Sequence, residues 1–422
     1  MQALWKREGV SNNTLMVVHC DGQLDPARIA RALERFVELC PWPASRLRRP
    51  FPWGQLHWAA PANAASEAPA VRHQRLTTPD GLHGLLEAEL NHAIDPRVEP
   101  PLRVAIFDTM IDAAGPQSAL VLTWFHPLMD PRGAQNLLAH LAHLDEVVDG
   151  RAPWGGTPPA FATEPDPRPL KERGRLGRQS QRHMRALVPE SPVSPGSGLA
   201  HPGLIRFEQA SFVGDDHGLG GVHSTREICW RLALVGRTMA DLWRRRGLPD
   251  VPFLVPVSID LRPKGEPGAT FGNVLAFHFA RFKPSDTSDV AALTRTLRDQ
   301  MTEALRDGQI DASAVAMEFL KYRPVSLMLR DLPGTATRET FSFNCADLAD
   351  FPPAPEKLFG RRVVNAYHAP AVLPRPGVGV FFNRCGIRNN LVVSWVEGAM
   401  KEEEVTRIIE GVREGMQWRP AR

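Results

Sequence analysis

Cysteine is scarce in this chain: five residues in 422, an odd number, widely spaced and with no C-x-x-C pair. That pattern excludes a disulfide framework and a cysteine zinc site, and leaves free, mostly buried thiols in a reducing compartment. Long apolar runs are also missing. The longest, such as Ala119–Phe125, are strand-sized, well short of the run of about 20 that spans a bilayer. Charge of one sign is missing too: 50 basic residues stand against 47 acidic, a formal +3. Such a balance gives no electrostatic case for nucleic acid. Met1–Val10 carries charges with no long apolar core behind them, so no signal peptide is read and a cytoplasmic location is expected.

What is present is globular. Hydrophobic residues make up 43% and charged residues 23%, which excludes wholesale disorder. The length suggests two or three domains. Proline, at 39 residues, is nearly twice its average usage of about 5%, so many element boundaries and long connections are expected rather than a helical bundle.

The first segment reads as α/β. Leu15-Met-Val-Val-His19 is a strand, Asp21-Gly22 a turn, and Asp25-Pro26 the N-cap and first position of a helix. Ile29, Leu33, Phe36, Val37 and Cys40 recur at helical spacing until Pro41. Leu82–His92 carries another helical stripe. Leu102–Phe107 and Ala119–Phe125 read as strands, and a helix follows from about Gly133 with Leu137, Leu138, Leu141 and Leu144 on one side.

Between Arg151 and His201 the texture changes to Pro, Gly, Ser and Arg. Seven basic residues lie between Arg168 and Arg185 against the single acid Glu172. The stretch reads as a connection, partly helical, and the plain account of its charge is a solvated linker. The second half repeats the α/β texture: helices over Ile228–Leu242, Val290–Leu305 and Lys401–Met416, and strands over Phe253–Ile259, Val274–Phe282, Glu339–Cys345, Gly379–Asn383 and Asn390–Val396.

The segment Trp124-Phe-His126-Pro-Leu-Met-Asp130-Pro-Arg-Gly133 lies where a strand ends and a helix begins, a common position for reactive side chains in α/β proteins. A histidine there, with an aspartate four residues on, fits a general base beside a structural carboxylate. Spacing alone is weak support, because H-x-x-x-D is frequent.

Motif order says more. Phe125-His126-Pro-Leu-Met-Asp130-Pro131 overlays H-H-x-x-x-D-G, and the chain resembles the condensation-domain and CoA-dependent acyltransferase superfamily, which includes chloramphenicol acetyltransferase. Gly22-Gln-Leu-Asp25, Ile94-Asp95, Pro100-Pro101-Leu102-Arg103, Val255-Pro256-Val257-Ser258, Leu261-Arg262 and Phe271-Gly272-Asn273 follow in the family's order across nearly the whole chain. The resemblance implies two chloramphenicol-acetyltransferase-like α/β sandwich halves forming a V with a tunnel between them. The expected division is an N-terminal half over 1–165, a basic connection over 166–203 and a C-terminal half over 204–422.

By the same resemblance, the chain would be a stand-alone acyltransferase in natural-product or specialised lipid biosynthesis. It would move an acyl group from acyl-CoA, or from a phosphopantetheinyl carrier protein supplied in trans, to an alcohol or amine. His126 is then the general base, Asp130 and Arg262 a structural ion pair, and Ser342 the oxyanion donor with Asn344 as fallback. Trp124, Asn273 and Gly133 are nominated as substrate-binding or tunnel-lining positions. For Ser342, a hydroxyl satisfied inside a sheet is the plain alternative. No bound cofactor, metal, nucleic-acid partner or membrane span is expected, and a monomer is. The basic run, if it has a function, would grip a CoA phosphate or an acidic carrier protein.

Two positions depart from the signature: Phe125 replaces its first histidine and Pro131 its glycine. Proline fixes φ and removes an N–H. These departures support the rival reading, a catalytically degenerate, condensation-like module that only binds a carrier protein. A fold adapted to cyclisation or hydrolysis is a third possibility. His140 and His143, three apart on a helix, suggest no third metal ligand, and the loop Asp215–Gly221 lacks a G-x-G-x-x-G pattern.

Overall fold

A computed structural model describes residues 11–49, 56–78, 81–111, 115–148, 166–187, 192–197, 199, 203–213, 225–263, 270–320, 339, 341–351 and 357–417. The loop Asp215–Gly221 lies outside them. Along the chain run β1 (Asn13–Asp21), α1 (Pro26–Leu39), the short β2 (Arg46–Arg48) and β3 (His57–Ala59), β4 (Val71–Arg75) and α2 (Gly81–Asn91). Then come β5 (Leu102–Ile111), β6 (Gly115–Phe125), α3 (Pro131–Val148), α4 (Leu170–Leu187), β7 (Ile205–Val213) and α5 (Thr225–Arg245). They are followed by β8 (Phe253–Asp260), β9 (Leu275–Phe282), α6 (Val290–Arg306) and α7 (Gln309–Leu320). The chain continues with β10 (Asn344–Asp350), β11 (Lys357–Leu358), β12 (Arg361–Pro370), β13 (Val378–Cys385), β14 (Arg388–Val396) and α8 (Glu402–Gln417).

Two sheets carry the architecture. The first has the order β11-β12-β1-β6-β5-β4 and the second β10-β13-β14-β7, with β2–β3 and β8–β9 as separate two-stranded ribbons. Strand β1 sits inside the first sheet and is buried on both faces, which is why its sequence is a continuous apolar run rather than an alternation. Met16 and Val18 face the layer of α1 and α3, where Ile29, Leu33, Phe36, Leu137 and Leu141 meet them. Leu15 and Val17 face the other way, toward Leu86 of α2 and toward Phe207 and Val392 of the second sheet. A third core gathers α5, α6 and α8 against β8, β13 and β14.

Helix α1 starts as its sequence predicts: Asp25 accepts the Ala27 N–H at 2.9 Å, and Pro26 opens the first turn. All five cysteines are free and buried. Burial pushes the Cys20 and Cys40 thiols up to about 12.

Two features differ from the sequence reading. Residues 357–370, expected in the C-terminal half, cross over into the first sheet. There β12 pairs antiparallel with β1 from Thr14–Pro370 to Cys20–Val363. The central edge of β1 would otherwise be an open row of backbone groups, and only a sequence-distant strand closes it. The basic connection is partly helical, as its sequence reads, and contains the eighteen-residue helix α4. Strand β10 begins at Asn344, so Phe341–Phe343 precede it instead of forming its first residues.

Candidate active site

Strand β6 ends at Phe125, and a single 3-10 turn, His126–Leu128, leads to α3. The turn is pinned from outside: the Phe125 N–H reaches the Pro101 carbonyl at 2.9 Å, and the His126 N–H the Asn12 carbonyl at 3.0 Å. Asp130 then caps α3. Its Oδ1 accepts the Gly133 N–H at 2.8 Å, and Pro131 takes the first helical position. Proline is favoured there, because its missing N–H would have no intrahelical partner anyway. Pro131 is therefore a helix starter, and the disturbance expected from it does not arise.

Asp130, 3% exposed, is also the centre of an ionic clasp. Arg262 donates Nη1 to Oδ2 at 3.0 Å and Nη2 to Oδ1 at 2.9 Å, a bidentate pair in which both side chains are nearly buried. The Val274 N–H adds a bond to Oδ2 at 2.9 Å. Asp260 accepts the Arg262 Nη1 at 3.0 Å and lies 3.7 Å from Arg132 on α3. Asp260 and Arg132 were not among the residues singled out from the sequence. Their signal was the paired spacing Asp130-x-Arg132 and Asp260-x-Arg262.

Backbone contacts join the same two segments. The Gly272 N–H reaches the Leu128 carbonyl at 2.7 Å, and Met129 and Gly272 form an isolated parallel bridge. Gly272 has φ +91°, a left-handed conformation that favours glycine. Asn273 donates Nδ2 to the Pro127 carbonyl at 3.3 Å and lies 3.5 Å from that of His126. The Phe271-Gly272-Asn273 element thus holds the His126 turn from behind.

His126 is half-buried. Its Nδ1 is closed off from solvent and has no hydrogen-bond partner of good geometry among the described residues. Desolvation holds the imidazole below its ordinary value of 6.5. Its own backbone carbonyl and the Asp130 charge oppose this, but they are the smaller effects. The ring is consequently neutral at pH 7.

Other nominated residues sit elsewhere. Ser342 is fully buried, and its Oγ accepts the Leu254 N–H of β8 at 3.2 Å while its own N–H bonds the Leu254 carbonyl. A hydroxyl with no open face has no access to a substrate oxyanion; it ties the start of β10 to β8. Trp124 is likewise fully buried, with Nε1 on the Met129 carbonyl at 2.9 Å and its ring edge-on to His368. It belongs to the core rather than to a substrate surface, because it points from β6 toward α3. Gly133 is neither a turn nor a donor to substrate. Its N–H is spent on Asp130, and a Cβ there would lie 2.3 Å from the Thr270 carbonyl oxygen, so glycine is required by close backbone approach. Phe125 is fully buried. Asn344 is half-buried at the first residue of β10.

No family model matches the chain, and no curated protein matches it. Solved structures do. The starter condensation domain of rhizomide synthetase, as a double mutant in complex with C8-CoA and Leu-SNAC, superposes with a TM-score of 0.69 at 12% identity, covering 99% of this chain and 91% of that one. The fold is that of the condensation domains. The trichothecene 15-O-acetyltransferase of Fusarium sporotrichioides is as similar, with a TM-score of 0.69 at 11% identity over 98% of this chain and 92% of the other. The first condensation domain of the CDA synthetase reaches 0.66 at 16% identity, over 98% and 93%. At these identities the likeness establishes the condensation fold alone.

Within that fold the described residues bring together His126, Asp130, Arg262, Asn273 and Gly133, from segments more than a hundred residues apart. Among them no three His, Cys, Asp or Glu side chains converge as metal ligands do, and no helix is long and apolar enough to cross a membrane.

Proposed function

We propose that the chain is an acyltransferase that moves an acyl group from a thioester to an alcohol or amine, with His126 as general base. The observation that carries this reading is the state of His126. It is a neutral imidazole on a turn held rigid by the Asp130–Arg262 clasp, with its Nδ1 enclosed. With Nδ1 enclosed, Nε2 is the nitrogen left to take a proton. The condensation fold adds support, since its solved members include a domain crystallised with C8-CoA and Leu-SNAC and an O-acetyltransferase.

In the proposed reaction the acceptor O–H or N–H gives its proton to Nε2 as the heteroatom bonds to the thioester carbonyl carbon. The resulting tetrahedral oxyanion collapses and breaks the C–S bond. The imidazolium returns the proton to the departing thiolate, so the enzyme ends as it began. No covalent acyl-enzyme is required. With the Ser342 hydroxyl committed to Leu254, Asn344 is the remaining nominee for an oxyanion donor.

Phe125 and Pro131, the two departures from the signature, belong to the core and to the helix start, so neither weakens the case for His126. The test is His126→Ala, assayed with acyl-CoA donors against alcohol and amine acceptors. Loss of a positioned base should lower the rate by about 10²–10⁴-fold. A variant that transfers at the parent rate would sink the general-base role, and a parent protein that transfers nothing would favour a module that only binds.

A further inference from the structure

We infer that Asn12 supplies the hydrogen bond that stabilises the oxyanion of the acyl-transfer reaction, an inference that rests on that reading. Asn12 stands immediately before β1 and is tied to the His126 turn: its carbonyl accepts the His126 N–H at 3.0 Å. The antiparallel register of β1 and β6 pairs Thr14 with Trp124 and Asn13 with Phe125, and this bond extends it by one step to Asn12 and His126. Residues opposite each other in such a ladder carry their side chains on the same face, with Cβ atoms about 5 Å apart. The asparagine amide and the imidazole therefore share one side of the sheet.

The neighbouring asparagine shows what a structural amide does here. Asn13 points to the other face, toward α2, and spends its Nδ2 on the Glu89 and His92 carbonyls at 3.2 and 2.8 Å. Asn12 is 7% exposed, and its Nδ2 is enclosed with no hydrogen-bond partner. Among the described residues no hydrogen bond holds its amide. A buried amide N–H left without an acceptor opposes folding, so packing of the strand does not account for an asparagine at this position. The partner it lacks is a hydrogen-bond acceptor.

The proposed reaction brings one. As the acceptor heteroatom bonds to the thioester carbonyl carbon, the π pair of the C=O bond moves onto the oxygen, beside His126. An N–H donor within about 3 Å of that oxygen lowers the barrier. When the C–S bond breaks, the pair returns to the C=O bond, and the amide is neither consumed nor protonated. A half-turn about the Cβ–Cγ bond of Asn12 exchanges the two ends of the amide, which are alike in size, and breaks no hydrogen bond. Ser342 lacks that freedom, since its hydroxyl is held by Leu254. Asn344 pairs with Gly379 in the second sheet, whereas Asn12 is bonded directly to the residue that carries the base.

The test is Asn12→Leu in the whole protein, which keeps a branched side chain and removes both amide N–H groups. With acyl-CoA donors, kcat should fall about 10²–10³-fold while KM changes less than about threefold. The melting temperature should not drop, because no hydrogen bond is lost. If Asn12→Leu impairs folding, Asn12→Asp keeps the shape, lacks the donor and should be at least as slow; Asn12→Thr, which restores a hydroxyl donor, should regain part of the rate. An S-alkyl-CoA thioether, which has no carbonyl oxygen, should bind the parent and Asn12→Leu equally. Parent-level kcat in Asn12→Leu would overturn the inference and leave acyl transfer standing. A lower melting temperature together with weaker thioether binding would overturn it too, by making Asn12 structural. A parent protein that transfers nothing would overturn both readings.

Discussion

Replacing Asp130 by alanine removes the carboxylate on which two halves of the sequence converge. Four donors lose their acceptor at once: the two Arg262 nitrogens at 3.0 and 2.9 Å, the Gly133 N–H at 2.8 Å and the Val274 N–H at 2.9 Å. Breaking a buried ion pair from one side costs about 3–5 kcal/mol, because the other charge stays buried without its partner. The Arg262 side chain is 5% exposed but keeps Asp260 at 3.0 Å, which places the pair near the low end of that range. Loss of the α3 cap adds about 1 kcal/mol. A loss of about 4 kcal/mol is therefore expected, read from urea titration of parent and variant.

The double variant Asp130→Leu/Arg262→Met removes both charges and should recover most of that loss, since an apolar pair of similar volume is often neutral. Asp130→Ala unfolding within about 1 kcal/mol of the parent would refute the reasoning, and so would a double variant no more stable than the single one. Asp130 does not face substrate in the proposed reaction. Its removal should lower activity by loosening the His126 turn, with the fall in kcat exceeding any rise in KM.

Four further outcomes follow from the same structure. Gly133→Ala places a methyl 2.3 Å from the Thr270 oxygen, so it should destabilise by about 1–3 kcal/mol despite alanine's better helix propensity; an unchanged melting temperature would contradict the close approach. Ser342→Ala leaves the buried Leu254 N–H without its acceptor and should cost about 1–3 kcal/mol in urea unfolding with kcat unchanged, whereas a large kcat loss would restore the hydroxyl to the chemistry. The rate of acyl transfer should hold down to a pH below 6.5 and then fall, because desolvation keeps the His126 imidazole neutral below its ordinary pKa; an inflection above 6.5 in kcat/KM would argue against it.

Stability should also drop in acid. Burial holds His19 and His278 at about 4 and His368 at about 3, while the unfolded chain protonates them near 6.5. The three contribute in full above about pH 6.5, and that contribution is lost as the pH falls from there toward 4, by up to about 4 kcal/mol per pH unit. A melting temperature that is flat between pH 7 and 5 would refute this.

Much of the fold was legible because local rules and tertiary packing agree. The apolar run of β1, the Asp25-Pro26 helix start and the stripe Leu137, Leu138, Leu141, Leu144 each say the same thing at both levels. What failed was polar or distant. The strand Arg361–Pro370 opens with two arginines, and its identity depends on pairing with β1, more than three hundred residues earlier in the chain. Trp124, nominated as tunnel lining, ends a strand beside the signature, and nothing in its own stretch distinguishes a ring facing substrate from one that is fully buried. Ser342 carries a polar hydroxyl that could serve chemistry or backbone, and only the position of Leu254 decides between them. Pro131 read as a defect because the N-cap role of the preceding aspartate was not seen.

The sequence by itself determined the α/β class, the near-neutral charge, the absence of paired cysteines and the identity of His126, Asp130 and Arg262 as residues worth testing. The first three follow from composition and short-range periodicity, which act over one or two turns of chain, whereas the three residues come from the order of short motifs that carries the family resemblance. Only the tertiary structure decided that Gly133 is present to admit the Thr270 backbone and that β12 closes the first sheet, and it placed Arg262 on Asp130 across 132 positions, a pair the resemblance implied without its geometry. It also sorted the basic run over Arg168–Arg185 into anchoring arginines and an outward stripe. Each of these depends on which surfaces a folded chain brings within a few ångströms, and distance in space is the one quantity that local pattern does not carry.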